Sequence, residues 1–494
     1  VTNPDARTNT QQNTALPRLE TLKRIHFIGI GGAGLSAIAK VLLEMGFQVS
    51  GSDLLSNNLT EGLKAQGANI FRGHASVHVE GADLVVASSA IPQDNPEWQE
   101  ALRLGIPVVK RGPVLAALAT SKQTIAIAGS HGKTTTAGMV AHILSEAGLD
   151  PTFVIGGVLE NFGTNARLGR GPHFVVEADE YDWTFLSLHP HISVITNVEM
   201  DHPDCFSDED ELYKAFKQFA DQTSDGGLLL SSGDDPQAAR LVEQGSAGRD
   251  IAAETFGFTP TCTWRAADVD LCADGSTGFT IVRGGSPMMS AELAVPGEHN
   301  VLNALAAVAV ANHLAIAPED IARALRDFKG TRRRLEVRGV SRGVTVLDDY
   351  AHHPTQIAVT LRAVRQKYGR GEIWAVFQPH TYSRLKSLWA DFATCFGDAH
   401  HVMVLPVYAA REAYDPTVDP EQLAREMPHP DARFVTGPQE AASALATRVK
   451  SGDAVITLGA GDEWKVGDLL LALLRQELAQ TLHVEESKHE QQTV

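Results

Sequence analysis

Residues 125–144 constrain this chain more than any other stretch. The run Ile125-Ala126-Ile127-Ala128 ends in Gly129-Ser130-His131-Gly132-Lys133-Thr134-Thr135-Thr136, and a helical pattern follows through Met139, Val140, Ile143 and Leu144. Strand, glycine loop and helix, in that order, turn backbone N–H groups and a helix N-terminus toward an anion. Lys133 is expected on the β- and γ-phosphates of a nucleoside triphosphate, with the Thr134 hydroxyl on a bound Mg²⁺. The loop departs from the usual G-x-x-x-x-G-K-[ST], because Ile127 stands at the place of the first glycine.

Length and charge narrow the remaining possibilities. The chain has 494 residues, room for about three domains. Its hydrophobic fraction of 43% is enough for a large core, and its net charge of −18 argues against general nucleic-acid binding, which requires a basic face. Cys205, Cys262, Cys272 and Cys395 lack metal-ligand spacing and read as thiols in a reducing compartment. A Cys262–Cys272 bridge across a hairpin is the weaker reading. No apolar run approaches the roughly 18 residues of a membrane helix, so no membrane insertion is expected. Leu469–Leu474 fits a buried helix. The polar stretch from Thr2 to Thr14 has no apolar core of a secretion signal. Residues 1–20 and 485–494 are expected to be disordered tails, and the protein is expected in the cytoplasm.

The pattern predicts an α/β fold in three domains, over 21–121, 122–331 and 332–484. The first opens as a Rossmann-like βαβ unit: strand Ile25–Ile30, a glycine turn, a helix from Leu35 to Met45, and strand Gln48–Ser50 leading to Asp53. The second is a P-loop-type ATPase domain, with strands expected at 174–177, 192–195 and 227–230, helices at 209–222 and 300–314, and antiparallel strands between Thr255 and Ala294. The third is again a Rossmann-like α/β domain, with strands at 344–348, 373–377, 401–405 and 454–458.

Polar clusters follow several predicted strands, where α/β sheets place their ligands. Gly29, Gly31 and Gly34 have the G-x-G-x-x-G spacing of a dinucleotide site, and Asp53 has the position of its acidic partner. Such a turn accepts any nucleotide diphosphate, or serves only to turn the chain. Glu177-Ala178-Asp179-Glu180-Tyr181-Asp182 offers a carboxylate for Mg²⁺; the alternative is a solvated acidic turn. His202, in Thr196–Asp204, is a candidate for a second cation or for assisting a phosphoryl intermediate, against a purely structural histidine. Asn300 and Asn303 begin a small-residue helix, where amides read a base or a phosphate, or Asn300 caps the helix. Arg332-Arg333-Arg334, Asp348-Asp349-Tyr350-Ala351-His352-His353-Pro354 and Gln378-Pro379-His380-Thr381-Tyr382-Ser383-Arg384 bring basic and aromatic groups to the third block. There His352, His380 and Arg384 are placed to hold a carboxylate or phosphate. Metal binding by the adjacent His352 and His353 is the weaker alternative.

Taken in order, these motifs resemble the Mur ligases of peptidoglycan synthesis, over nearly the whole chain from about Ile25. The signatures that carry the resemblance are His26–Gly32, Gly129–Thr135, Glu177–Glu180, Asp348–Pro354 and Phe377–His380. It implies an ATP-dependent amide-bond-forming ligase whose domains bind a UDP-sugar, ATP and an amino acid in turn. Within the family the chain is most similar to the branch that joins L-alanine to UDP-N-acetylmuramate through an acyl phosphate. The resemblance places Gly31, Ala33, Gly34, Asp53, His74 and Ser88 at the UDP-sugar. It places Gly129, Ser130, His131, Gly132, Lys133, Thr134, Thr135, Asn300, Asn303, Arg334 and Asp349 around ATP. Thr134, Glu177 and His202 match Mg²⁺ ligands. Tyr350, His352, His380 and Arg384 match the amino-acid end, and Lys133, His202, His352 and Arg384 are the catalytic candidates. Some members carry Arg at the position of Thr381; others carry Thr. Sister ligases use a carbamylated lysine between their metal ions, and Lys217 lies at a plausible distance from His202 for that role.

Three rivals stand beside this reading. A ligase recycling whole peptides onto the same sugar nucleotide shares most of these motifs. A nicotinamide-dependent dehydrogenase accounts for Gly29 to Asp53 but leaves the Lys133 loop idle. A non-catalytic nucleotide-binding scaffold leaves most of the strand-end clusters without work.

Overall fold

The computed structural model describes residues 16–203 and 205–477. Most of the two expected tails, and Asp204, lie outside those residues; where the first tail is described, Leu19 is buried.

Three sheets follow one another along the chain. The first is wholly parallel, in the order β3-β2-β1-β4-β5, from β1 (Arg24–Ile28), β2 (Gln48–Asp53), β3 (Asn69–Arg72), β4 (Leu84–Ala87) and β5 (Val108–Val109). The second has ten strands: β6 (Gln123–Ala128), β7 (Thr152–Leu159), β8 (Thr164–Arg167), β9 (His173–Glu177), β10 (Ile192–Ile195), β11 (Leu228–Ser232), β12 (Ala252–Gly257), β13 (Trp264–Leu271), β14 (Thr277–Arg283) and β15 (Ser286–Leu293). Their order is β15-β14-β13-β12-β11-β10-β6-β9-β7-β8. The third, in the order β16-β17-β21-β18-β19-β20, comprises β16 (Glu336–Ser341), β17 (Val344–Asp349), β18 (Ile373–Phe377), β19 (His401–Val404), β20 (Ala432–Phe434) and β21 (Ala454–Leu458). Only β16 runs antiparallel there.

The parallel strands read as unbroken apolar runs because helices cover both faces. β6, β10, β18 and β21 are almost entirely buried, β6 beginning with an exposed Gln123. The helix Lys133–Glu146 is buried nearly all round, packed against the Ala-rich helix Glu298–His313.

Parallel register also assembles the site. β6 lies between β9 and β10, with Ile127 opposite Glu177 and Ala128 opposite Ile195. The phosphate loop, the Glu177 turn and the Thr196 turn therefore leave the sheet side by side. In the third sheet the turns after β17, β18 and β19 emerge at one edge in the same way.

Several expectations need correction. The hairpin β7–β8 and the edge strand β16 depart from the expected strands: Gly156-Gly157 interrupts the apolar run of β7, and β16 is largely exposed. The helix expected at Asn300 starts at Glu298 after Gly297, whose φ is +99°, so Asn300 is not its N-cap. Lys217 sits on the helix Glu209–Asp221, half-exposed and paired with Asp221 at 2.7 Å. Its ammonium is thus engaged along its own helix. None of the four cysteines is in a disulfide.

Candidate active site

A cavity of about 1580 Å³ is lined from all three sheets, by residues as far apart as Gly34, Arg111, Lys133, Glu177, His202, Asn300, Arg334, Asp349, His352 and Arg384.

Its centre is the turn after β6. Gly129 (φ +125°) and Gly132 (φ +83°) have conformations that L side chains resist. A Cβ on Gly129 would also lie 2.0 Å from Thr196 Oγ1, and one on Gly132 would lie 2.6 Å from Asn303 Oδ1. The glycines let the loop run flush against its neighbours. Its backbone is braced: Asn197 accepts from the His131 N–H at 2.8 Å, and the Ser130 hydroxyl donates to the Glu199 carbonyl at 2.7 Å. Thr135 lines the cavity one position further on.

Lys133 lies back on this loop. Its Nζ donates to the Gly129 carbonyl at 2.6 Å and to Glu180 at 2.7 Å. Burial opposes its charge, but Glu180, Asp179 and Glu177 outweigh burial and raise its pKa. The Thr134 hydroxyl donates to Glu177 at 3.0 Å, and Gly156 N–H of β7 donates to the other Glu177 oxygen at 2.7 Å.

His202 adopts φ +57°. Its Nε2 is 3.8 Å from both Glu180 and Asp201. Asp179, Glu180 and His202 offer three donor atoms within 4.8 Å of one another. Glu180 Oε1 is buried without a hydrogen-bond partner. An orphaned carboxylate oxygen, a hydroxyl and further carboxylates form the hard-oxygen set that Mg²⁺ prefers, and the glycine cradle suits phosphate. The residues present therefore fit a magnesium nucleotide.

The asparagines brace the loop from the side. Thr136 donates to Asn303 at 3.1 Å, Asn303 to Asn300 at 3.1 Å, and Asn300 to the Pro296 carbonyl at 2.7 Å.

The third sheet supplies the opposite wall. Asp349 accepts from Leu335 N–H at 2.7 Å and Ala351 N–H at 2.8 Å. Burial pushes its carboxyl up to about 6, against the pull of Arg334. Tyr350 lies under the Arg334 guanidinium at 5.3 Å. Burial, then the Arg384 charge, holds His352 well below its ordinary pKa. Its Nδ1 lies 2.8 Å from the Tyr350 carbonyl, so that nitrogen carries the proton. His380 is held down to about 4 by burial and Arg384. Its ring is 5.9 Å from that of His352. Arg384 is buried, and its Nε and Nη2 donate to Asp201 at 2.9 and 2.8 Å. Its fork is thus already engaged by a carboxylate of the central sheet.

The first-sheet residues divide. Ala33 and Gly34 line the cavity. Gly31 N–H donates to Asp53 at 2.8 Å, so the acidic partner of the glycine turn is tied to the turn itself. His74 lies 2.9 Å from the Ser52 hydroxyl, beside Glu97, which is fully buried among His26, His74 and His78. Ser88 sits under Gly29, whose Cβ would come within 3.1 Å of it. Asp53, His74 and Ser88 do not line the three-domain cavity.

Sequence reasoning missed several groups. Arg111 reaches Asp179 across sheets at 2.5 Å. Asp201, Glu199 and Gln356 all join the central and third sheets. Asp201 and Glu199 lie inside a stretch already marked by His202; Gln356 is a helix residue with no such signal.

Comparison with known proteins decides the family. Three Mur ligase models match in succession: the Mur ligase family catalytic domain over 24–123, the Mur ligase middle domain over 127–311, and the Mur ligase glutamate ligase domain over 333–461. The chain belongs to the Mur ligase family. Curated relatives include the UDP-N-acetylmuramate–L-alanine ligases of Syntrophotalea carbinolica, 43% identical over 92% of this chain and 99% of that protein, and of Alkaliphilus metalliredigens, 41% identical over 91% and 97%. Among solved structures, the UDP-N-acetylmuramate–alanine ligase of Thermotoga maritima superposes with a TM-score of 0.79 at 27% identity, over 92% of this Mur ligase and all of that chain. The murein peptide ligase of Psychrobacter arcticus follows with 0.72 at 25%, over 92% and 98%. Family membership displaces the dehydrogenase reading of Gly29 to Asp53.

Proposed function

We propose that this Mur ligase joins L-alanine to the lactyl carboxylate of UDP-N-acetylmuramate at the expense of ATP, in the cytoplasm, as a step of peptidoglycan precursor synthesis. The observation that carries this reading is the meeting of phosphate loop, hard-oxygen cluster and His352–His380–Arg384 wall in one cavity. The names of the curated relatives support the substrate pair.

Oxide is too poor a leaving group for an amine to displace from a carboxylate. Bound ATP with Mg²⁺ supplies the phosphoryl group that turns the carboxylate into an acyl phosphate. Lys133 then neutralises charge on the transferring phosphoryl, the main catalytic demand in such chemistry. Thr134, Glu177 and His202 would hold Mg²⁺, which would screen the charge of the phosphates. Asn300, Asn303, Arg334 and Asp349 seat the nucleoside and its phosphates. Gly31, Ala33, Gly34, Asp53, His74 and Ser88 seat the UDP-sugar, Asp53 by fixing the glycine turn. His352 stays neutral with its proton on Nδ1, leaving the Nε2 lone pair to accept the proton that the amine nitrogen releases after it bonds to the acyl carbon, as phosphate leaves. Tyr350, His380 and Arg384 wall the amino-acid end. Enclosure between three domains keeps water from the activated carboxylate.

A phosphate-release assay with UDP-N-acetylmuramate, testing each amino acid in turn and then a tripeptide, decides the reading. L-Alanine is expected to be best, with glycine and serine poor but active, since an apolar pocket rejects a methylene by only about 1–3 kcal/mol. A tripeptide outperforming L-alanine would instead assign the chain to peptide recycling.

A further inference from the structure

Glu97 is fully buried in the first domain, yet it keeps a charge. One of its oxygens, Oε1, lies 2.6 Å from His78 Nδ1 and accepts from Ala75 N–H at 3.2 Å. The other, Oε2, lies 3.3 Å from His26 Nε2 and accepts from the Ser52 hydroxyl at 2.5 Å. Burial opposes the charge, but the bonds from His26, Ser52 and His78 outweigh burial and hold the carboxyl down to about 2. An ionised carboxylate only accepts, so the Ser52 proton is directed at Glu97. The Ser52 oxygen is left as an acceptor for His74 Nδ1, 2.9 Å away. Glu97 itself lies 3.5 Å from the same nitrogen. Both groups facing Nδ1 are acceptors, so neutral His74 carries its proton there and keeps a lone pair on Nε2.

His74 stands at the carboxyl edge of the first sheet, where open α/β sheets bind their ligands. The Asp53 carbonyl accepts from Gly73 N–H at 2.7 Å, and the Ser52 carbonyl accepts from Gly29 N–H at 2.8 Å. β2 alone therefore separates the segment carrying His74 from the glycine turn. A sugar nucleotide whose diphosphate lies on that turn must send its carboxylate into the three-domain cavity, which Ala33 and Gly34 line. Its nucleoside then extends the other way, and His74 lies outside the cavity.

We propose that Glu97 and Ser52 are positioning residues that fix the tautomer of His74, so that its Nε2 accepts the N3–H of a uracil and rejects a cytosine, whose N3 is itself an acceptor. The proposal rests on the sugar-nucleotide reading above.

The test compares UDP with CDP, by calorimetry on the full-length enzyme at pH 8. The wild type should bind UDP about tenfold or more tighter than CDP. Glu97→Gln makes the sharper demand. Its amide oxygen must face Ala75 N–H, so its nitrogen faces Ser52. The Ser52 hydroxyl then donates to His74 Nδ1, and the His74 proton moves to Nε2. UDP should bind about tenfold more weakly and CDP no more weakly than before, bringing the ratio to one or below. Ser52→Ala, which breaks the relay with little change in volume, should bring the ratio toward one. Nitrogen NMR of isotope-labelled histidines, with His74→Gln to assign the signal, should show the proton on Nδ1 in the wild type and on Nε2 in Glu97→Gln. Circular dichroism and ADP binding report folding; where Glu97→Gln does not fold, Ser52→Ala and the wild-type tautomer decide. A wild-type His74 protonated on Nε2 overturns the proposal, as does equal wild-type affinity for UDP and CDP. So does a folded variant that keeps the wild-type ratio, including one that loses both nucleotides equally, the mark of a merely structural carboxylate. A wild type that binds neither nucleotide overturns the sugar-nucleotide reading, and the proposal with it.

Discussion

Gln356 Nε2 lies 2.8 Å from His131 Nδ1, spanning the gap between the third domain and the phosphate loop. The other end of the same amide, Oε1, accepts from His352 N–H at 3.0 Å. Because that end faces a backbone donor it must be the oxygen, so the nitrogen donates to His131. His131 then carries its proton on Nε2 and donates to Glu199 at 2.8 Å. Glu199 also accepts from the Thr355 hydroxyl at 2.6 Å. One side chain therefore links the glycine loop after β6 to the turn that presents His352.

Gln356→Met keeps the bulk of this side chain and removes both ends of the link. It should let activated carboxylate meet water before the amine is in place. The expected result is phosphate release exceeding amide formed, where the wild type gives about one to one. Parallel phosphate and product assays measure the ratio; a ratio still near one removes Gln356 from the coupling.

Lys133→Met should abolish turnover, by about 100-fold or more, while UDP-sugar binding survives because that site belongs to another domain. Calorimetric titration with the sugar nucleotide separates the two effects. Near wild-type turnover would show that the ammonium does not act on phosphate.

Glu177→Ala and His202→Ala should each raise the Mg²⁺ concentration needed for half-maximal rate, with little change in UDP-sugar affinity. For Glu177 the effect includes a loosened loop, since its carboxylate also holds Thr134 and Gly156. A Mg²⁺ titration of His202→Ala that overlays the wild type would leave His202 a purely structural residue.

His380 gives a prediction in pH. Burial and then Arg384 hold its pKa down to about 4, against an ordinary 6.5. The unfolded chain therefore takes up a proton at higher pH than the native one does. The stability associated with neutral His380 is fully present above about 6.5 and is lost as pH falls toward 4. At pH 4 the loss is about 3 kcal/mol. Urea unfolding at pH 7.5 and pH 4 should show a drop smaller by about that amount in His380→Asn. An identical drop in both proteins would mean that His380 titrates normally.

The sequence made the phosphate loop legible because strand, glycines, lysine and helix are contiguous between Ile125 and Leu144. The same holds for Asp349 to His352, which follow an apolar strand. What stayed hidden depends on pairs far apart in the chain. The pairing of Arg384 with Asp201 is visible only once the two sheets meet. The bond from Gly31 N–H to Asp53 is likewise visible only in the fold. Gln356 carries no signal, since its role exists only when two domains meet. The hairpin β7–β8 was missed because its Gly156-Gly157 interrupts the apolar pattern, though Gly156 supplies the N–H that holds Glu177.

That hairpin also bears the first domain. Asn165 donates to the Ala33 carbonyl at 3.1 Å, Lys40 to Thr164 at 2.7 Å, and Leu168 N–H to Glu44 at 2.6 Å. The shoulder on which the first domain rests is thus continuous with the strand that aims the Glu177 carboxylate. A change in how the first domain sits on this shoulder therefore reaches the Glu177 carboxylate through a single length of backbone, from Asn165 and Thr164 back to the Gly156 N–H.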